Sequence, residues 1–370
     1  MTATPISWAP PVYPPTTIDN DGTLVNRYDA RKTLAYVTTD TNNVNKCVTF
    51  LLTSQSGYTK RRSVFMLYWI TTKDGLKYHL TSNAGLRGAD LLGTFISLND
   101  LQDLTSRGAS ILHPGSGNPD RLELKSATQS ITSPEGGDQW TNTHLELDFV
   151  GIKLDMTIQP TGGNFYYGGG GGVQLVNRGP DPDGSTALPG WSWYWANPTT
   201  RLEGHLVIDG KQHEIDPEQS YALFERQWGN FHIGKGYYAL WFYLESGEVL
   251  ISWSMEPSID GESKIAFASV WHPNGRHEML PVGPKSRAWD IEASPRTGLK
   301  YFNKFFLDLP ARNAYFTFDK WIRDGELIPS LPEQRDKYIT ISESYGEGKG
   351  FWDDKEVQIQ GHIEQLSLLR

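Results

Sequence analysis

Residues 237–255 read YYALWFYLESGEVLISWSM, and this stretch decides the fold class. Positions 237–245 and 248–255 are runs of aromatic and branched apolar residues. Ser246-Gly247 between them has the composition of a tight turn. The pattern predicts a β-hairpin, with 264–271 as a further partner strand. The same grammar recurs outward along the chain. VFMLYWIT at 64–71 and LKYHLTS at 76–82 flank an Asp74-Gly75 turn. HLELDF at 144–149 alternates strictly, with Leu145, Leu147 and Phe149 on one face, before Gly151 turns the chain into 152–158. Residues 202–208 and 211–215 flank an Asp209-Gly210 turn. The expectation is an all-β protein. Helical signal is thin: SLNDLQDLT at 97–105 reads as one short helix capped by Ser97, and 310–325 is ambiguous between helix and strand. The Pro-rich residues 1–20, the Gly-rich run 162–172 and the polar segment 177–189 read as loops.

Composition narrows the function classes. The chain has 370 residues, of which 38% are hydrophobic and 12% aromatic, so it has the material for a sizeable core. Lys and Arg number 34 against 43 Asp and Glu, a net charge of −9, which argues against a protein that tracks nucleic-acid phosphates. Cys47 is the single cysteine and excludes an internal disulfide. The one Asn-X-Thr triplet, Asn197-Pro198-Thr199, is disqualified for glycosylation by its proline. The first fifteen residues lack the basic start and apolar run of a signal peptide, and no stretch approaches the length of a membrane span. A soluble, cytoplasmic protein is the expectation.

No metal or organic cofactor is expected. The nine histidines include no pair at helical metal-ligand spacing, and the face shared by His144, Glu146 and Asp148 reads as the solvated side of a strand. There is no nucleophile elbow and no dinucleotide fingerprint, and the glycine run lacks the Lys-Ser/Thr of a phosphate loop. What remains is acid–base chemistry. In SYALFERQWGNF at 220–231, Leu223, Glu225 and Gln227 share one strand face, and Phe224, Arg226 and Trp228 share the other. If the first set lines a barrel interior, Glu225 is a carboxyl in an apolar cavity and a candidate general acid, with Gln227 and His232 beside it to position a substrate oxygen. A structural ion pair between Glu225 and Arg226 is the alternative. Trp191, Trp193 and Trp195 share one strand face, and Trp241, Trp253, Trp271 and Trp352 lie in other strand-like runs. They read either as core or as the wall of a pocket for an apolar ligand.

The block Trp193-Tyr194-Trp195, Arg201 to Leu206, Asp209-Gly210-Lys211 and Phe224-Glu225-Arg226-Gln227-Trp228-Gly229 resembles the lipocalin-like family of carotenoid 1,2-hydratases (hydroxyneurosporene synthases) and their AttH-like relatives. Phe351-Trp352 and Gly361-His362-Ile363-Glu364 resemble that family's closing strands. The chain departs from many members near 27–36, where Tyr28-Asp29 and Tyr36 stand in place of an acidic-Trp-Trp cluster. The resemblance implies two tandem lipocalin-like β domains, divided here as 1–215 and 216–370, with a ligand pocket at or near their junction. It implies an enzyme without a cofactor, acting on a small apolar molecule such as a prenylated or polyene intermediate. The fungal biosynthetic branch, with its epoxide-rearranging isomerases and cyclases, is the expected one. A decalin-forming Diels–Alderase, a hydratase of an isoprenoid double bond and a non-catalytic carrier are the alternatives. On this reading Glu225, Gln227 and His232 carry the chemistry. Tyr68, Trp193, Arg226, Trp228, Trp241, Trp253 and Trp352 bind the substrate.

Overall fold

A computed structural model describes residues 61–87, 90–117, 122–133, 142–161, 165–167, 173–174, 190–231, 236–274, 277–335, 340–367 and 369. Cys47 and the Pro-rich lead-in lie outside the described residues, as do most of the glycine run and all of 177–189.

The described residues are strands, turns and two 3₁₀ turns. The first strands are β1 (Arg61–Thr71), β2 (Lys77–Arg87), β3 (Leu91–Asp100) and β4 (Thr105–Gly117). They are followed by β5 (Glu123–Ser126), β6 (Gln129–Thr132), β7 (Thr143–Phe149) and β8 (Ile152–Pro160). Two short strands, β9 (Phe165–Tyr166) and β10 (Val173–Gln174), precede β11 (Gly190–Ile208), β12 (Lys211–Glu214) and β13 (Tyr221–Phe231). The second series opens with β14 (Tyr237–Leu244), β15 (Val249–Pro257), β16 (Ser263–Trp271) and β17 (His277–Pro281). It continues with β18 (Arg287–Ala293), β19 (Lys300–Leu309), β20 (Ala314–Lys320) and β21 (Glu326–Leu327), and ends with β22 (Ile341–Trp352) and β23 (Lys355–Leu366).

Among the described residues the named strands pair antiparallel within two sheets, and one isolated parallel bridge joins Ser110 to Pro329. The first runs β11-β13-β1-β2-β3-β4-β5-β6-β7-β8, and a further β8–β11 pairing closes it into a barrel. The second runs β17-β16-β15-β14-β23-β22-β20-β19-β18, with β21 on β22, and forms an open half-barrel. Strand β13, which carries Glu225 and lies beyond the expected division at 215, pairs with β1 and β11 inside the first sheet. It is the strand that joins the two ends of the barrel, so the first sheet needs residues up to Phe231.

The expected hairpins form. At the Asp209-Gly210 turn both residues have positive φ (51° and 82°), the type I′ geometry that matches strand twist. The expected helix at 97–105 does not form. Ser97–Asp100 complete β3, and Thr105 opens β4. The period of two prevails there: Ile96 and Leu98 enter the barrel core, while Ser97 and Asn99 point to the opposite face. The ambiguous 310–325 resolves into a 3₁₀ turn at Pro310–Arg312 and strand β20. His144 and Glu146 stand half-exposed or more on the outside of the barrel.

Three cores result. One fills the first barrel, with Val64, Met66, Tyr68 and Ile70 from β1. Another fills the second sheet's concave side, with Tyr238, Leu240, Phe242 and Leu244 from β14. The third lies between the sheets and is mostly aromatic. It takes Phe65, Leu67 and Trp69 from β1 and Tyr237, Ala239, Trp241 and Tyr243 from β14. All eight residues of β14 are therefore buried, because each face has its own core. This is why 237–244 reads as a continuous apolar run rather than an alternating one. Side-chain and backbone bonds tie the sheets together. Asn99 Oδ1 accepts the Tyr345 N–H at 2.8 Å, and the Gln334 amide brackets the N–H and C=O of Leu112 at 2.8 and 2.6 Å.

A partly buried charge network in the second sheet gives the fold a pH dependence. His272 lies 3.5 Å from Glu248 and 3.1 Å from Glu278, and Arg312 stacks on Trp352 while bonding Asp353. Burial pushes the Glu248 carboxyl up. Hydrogen bonds from His272, Ser246 and its own backbone outweigh that and hold it at about 2. A folded-state value below the ordinary 4.5 means the stabilisation is full above pH 4.5 and is lost as pH falls towards 2. Urea midpoints measured across that window are expected to drop more steeply for the native chain than for Glu248→Gln. Parallel curves would remove Glu248 as the cause.

Candidate active site

The aromatic core between the sheets holds a set of titratable side chains placed by strand register. Glu343 on β22 and Glu364 on β23 are directly opposite each other, and His362 is opposite both Tyr345 on β22 and Trp241 on β14. From the first sheet, Glu225 on β13 is opposite Phe65 on β1, and His79 on β2 is opposite Trp69. None of Glu225, Glu343, Glu364, His79 and His362 is more than 7% exposed. Odd positions on β1 and β13 and even positions on β23 point to the junction, so the polar groups of both sheets converge there.

Hydrogen bonds link them. His362 Nε2 lies 2.6 Å from Glu343 Oε2, and His362 Nδ1 lies 2.8 Å from His79 Nε2. His79 Nδ1 reaches the Tyr68 carbonyl at 2.9 Å. Tyr237 donates its hydroxyl to Glu364. Trp241 donates Nε1–H to the Tyr167 hydroxyl at 3.3 Å, and Tyr167 donates to Glu225 Oε2 at 2.9 Å. Among the described residues, Glu343 Oε1 is buried without a hydrogen-bond partner, as is Trp69 Nε1. Buried polar atoms are normally satisfied, so open ones among these titratable groups are candidate contacts for a ligand.

Burial dominates the electrostatics. It raises the Glu343 carboxyl well above the ordinary range, and the charges of Glu364 and Glu225 push the same way. Burial raises Glu364 to about 7, against the opposing hydrogen bond from Tyr237. The imidazoles are driven the other way: His79 falls to about 3, and His362 lies well below its ordinary value through burial and the neighbouring His79. Close carboxyls in an apolar site cannot all ionise, so at neutral pH the junction contains at least one carboxylic acid able to give a proton. Glu343, His362 and Glu364 also offer one ligand atom each within 4.8 Å of one another, the one such group found among the described residues.

The expected site residues divide. Glu225, Trp241 and Trp253 are at the junction. Glu225 reaches it by pointing out of the first barrel, which corrects the expectation that Leu223 and Glu225 face the barrel interior. Leu223 lies in the junction core and Phe224 in the barrel core. Tyr68 is inside the barrel, bonded to Ser82 at 2.9 Å, and only its backbone carbonyl serves the site. Trp352 is in the second sheet's own core beneath Arg312. His232 and the side chains of Trp193, Arg226, Gln227 and Trp228 lie outside the described residues. Residue reading did not single out His79, Glu343, Tyr167 or Tyr237, and took His362 and Glu364 only as part of a resembling block. The available signal was a charged or imidazole side chain at the centre of an otherwise apolar strand, as in YHL at 78–80 and HIEQL at 362–366.

The fold is that of a lipocalin-like two-sheet protein. Over 83% of the chain it superposes on the crystal structure of kievitone hydratase from Nectria haematococca, covering 89% of that chain with a TM-score of 0.68 and 19% identity. It also superposes on an AttH-like protein from Nitrosomonas europaea, with a TM-score of 0.65, 13% identity and coverage of 83% and 92%. By sequence it is 25% identical over 260 residues to the dehydratase asqC of Emericella nidulans, 66% of this chain and 69% of that one. It is 23% identical over 180 residues to kievitone hydratase of Fusarium solani subsp. phaseoli, 48% and 49% of the two chains. The chain matches no protein-family model. The structural likenesses show a shared fold, and the sequence likenesses are to proteins named as a dehydratase and a hydratase.

Proposed function

We propose that the chain is an enzyme that adds water to, or removes it from, a small apolar molecule held between its two sheets, using its own carboxyls as acid and base. The observation that carries this reading is the cross-strand pair Glu343 and Glu364, buried beside Glu225 and raised so that acid and base forms coexist near neutral pH. In the dehydration direction one carboxyl takes a proton from the carbon next to the departing hydroxyl. A second protonates that hydroxyl, the C–O bond breaks, and water leaves as the C=C bond forms. Hydration is the reverse. Trp69, Trp241, Trp253 and Tyr221 supply flat apolar walls whose faces steady developing positive charge. The names of the dehydratase and hydratase relatives support the same class.

A second reading uses the same residues for isomerisation or ring closure, the proton leaving and returning without water. The burial of these acids and bases favours it. The experiment that separates the two is a mass comparison. The gene is deleted in its source organism, and the compound that accumulates is weighed against the one that replaces it when the gene is restored. A difference of one water is the expected result. Equal masses would transfer the proposal to isomerase or cyclase, and no change in any metabolite would leave a binding protein.

A further inference from the structure

Hydrogen-bond geometry, with the neutral state that burial imposes on both imidazoles, assigns the protons along the chain of groups that leads from the first sheet to Glu343. The Tyr68 carbonyl can only accept, so His79 Nδ1, 2.9 Å away, donates to it. His79 is neutral above about pH 3, so its Nε2 carries no proton and accepts. The proton between the two rings therefore sits on His362 Nδ1. His362 is neutral as well, and presents a bare Nε2 to Glu343 Oε2 at 2.6 Å. Two lone pairs cannot face each other at that distance, so the proton there belongs to the Glu343 carboxyl. Its other oxygen, Oε1, is buried and open.

We infer that Glu343 is a two-ended proton shuttle, taking the substrate's proton at Oε1 while its own Oε2 proton passes to His362 Nε2, and that His79 is the positioning residue that fixes the His362 tautomer. The step balances: one proton leaves the substrate, one arrives on His362, and Glu343 stays neutral throughout. No carboxylate forms at Glu343, where Glu364 and Glu225 would oppose it. His362 becomes an imidazolium that still donates Nδ1–H to His79, and the reverse transfer resets the site. The groups around Glu343 are Tyr345 on its own strand, His362 and Glu364 from β23, Tyr237 and Trp241 from β14, Glu225 from β13 and His79 from β2. The shuttle rests on the acid–base reading above, but the tautomer it requires exists without any substrate.

That independence sets the test. Nuclear magnetic resonance of the full chain, with histidine labelled by the heavy nitrogen isotope and His362→Gln used for assignment, reads the protonation of each ring nitrogen at neutral pH. The expected result is a proton on Nδ1 and none on Nε2 for both His79 and His362. A proton on His362 Nε2, alone or with Nδ1, would overturn the shuttle even if the protein proves to be a hydratase. His79→Phe is expected to release the tautomer, so that an Nε2-protonated His362 appears and kcat falls about 10²–10⁴-fold with KM little changed. His79→Gln, with an N–H for the Tyr68 carbonyl and a C=O for His362, is expected to restore both. A His79→Phe variant that keeps the tautomer and kcat would refute the positioning role. If that variant does not fold, the wild-type spectrum still decides. A chelator is expected to leave the spectrum unchanged. Loss of a metal-bound His362 Nε2 signal on chelation would show that Glu343, His362 and Glu364 hold a cation instead.

Discussion

Glu343→Gln is expected to lower kcat by about 10²–10⁴-fold, the usual share of a positioned acid or base, with little change in substrate affinity or Tm. Glutamine keeps the volume of the buried side chain. Its amide N–H can still be given to the bare Nε2 of His362, so the hydrogen bond at 2.6 Å has a replacement. What is lost is a proton that can leave. The change also removes a group whose ionised form burial and the charges of Glu364 and Glu225 disfavour, so folding has no reason to suffer. The measurement is steady-state kinetics beside thermal melting. Loss of kcat with an intact melt assigns Glu343 to the reaction. Loss of both would make it a structural member of the interface, and retention of both would remove it from the mechanism.

Trp241→Ala is expected to destabilise the protein by about 3–5 kcal/mol, the range for deleting a large buried aromatic. Trp241 is fully buried in the core that joins the sheets. Its ring lies 5.9 Å from Phe65, 5.8 Å from Trp253 and 5.5 Å from His362, so it touches both sheets and the site. Its Nε1–H also holds the Tyr167 hydroxyl that bonds Glu225. The alanine variant leaves a void and removes one bond to that hydroxyl, and Trp241→Phe restores most of the volume but not the N–H. Denaturant midpoints for the pair separate packing from hydrogen bonding. A loss below about 1 kcal/mol for alanine would mean that the sheets close over the gap.

Much of the fold was legible because strands announce themselves locally. The Asp-Gly and Ser-Gly turns and the alternation at 144–149 are short-range signals, and each matched a hairpin. The helix expected at 97–105 failed because Leu98 enters the barrel core, Leu101 packs against the opposite core and Leu104 is exposed, a division that no local window can distinguish from a helical stripe. The candidate site was only partly legible for the same reason. Glu225 stood out beside Arg226 in an aromatic run, but the face it occupies depends on which sheet β13 joins. That choice is made by pairing with β1, more than 150 residues earlier in the register Arg61↔Gly229. His79 and His362 are 283 residues apart, and nothing in either neighbourhood refers to the other.

Strands β13 and β23 share a property that bears on how the molecule comes to be active. Each has one neighbour close in sequence and one far away: β13 pairs with β11 and with the distant β1, and β23 pairs with the adjacent β22 and with the distant β14. Such non-local pairings carry the largest loop-closure cost and tend to form late. These two strands also bear Glu225, His362 and Glu364. Folding intermediates that lack them would have secondary structure and barrel hairpins but no assembled proton machinery, together with open edges on β1 and β14 prone to wrong partners. The step that closes each sheet is thus the step that installs the chemistry, and a kinetically trapped chain would be inert rather than miscatalytic.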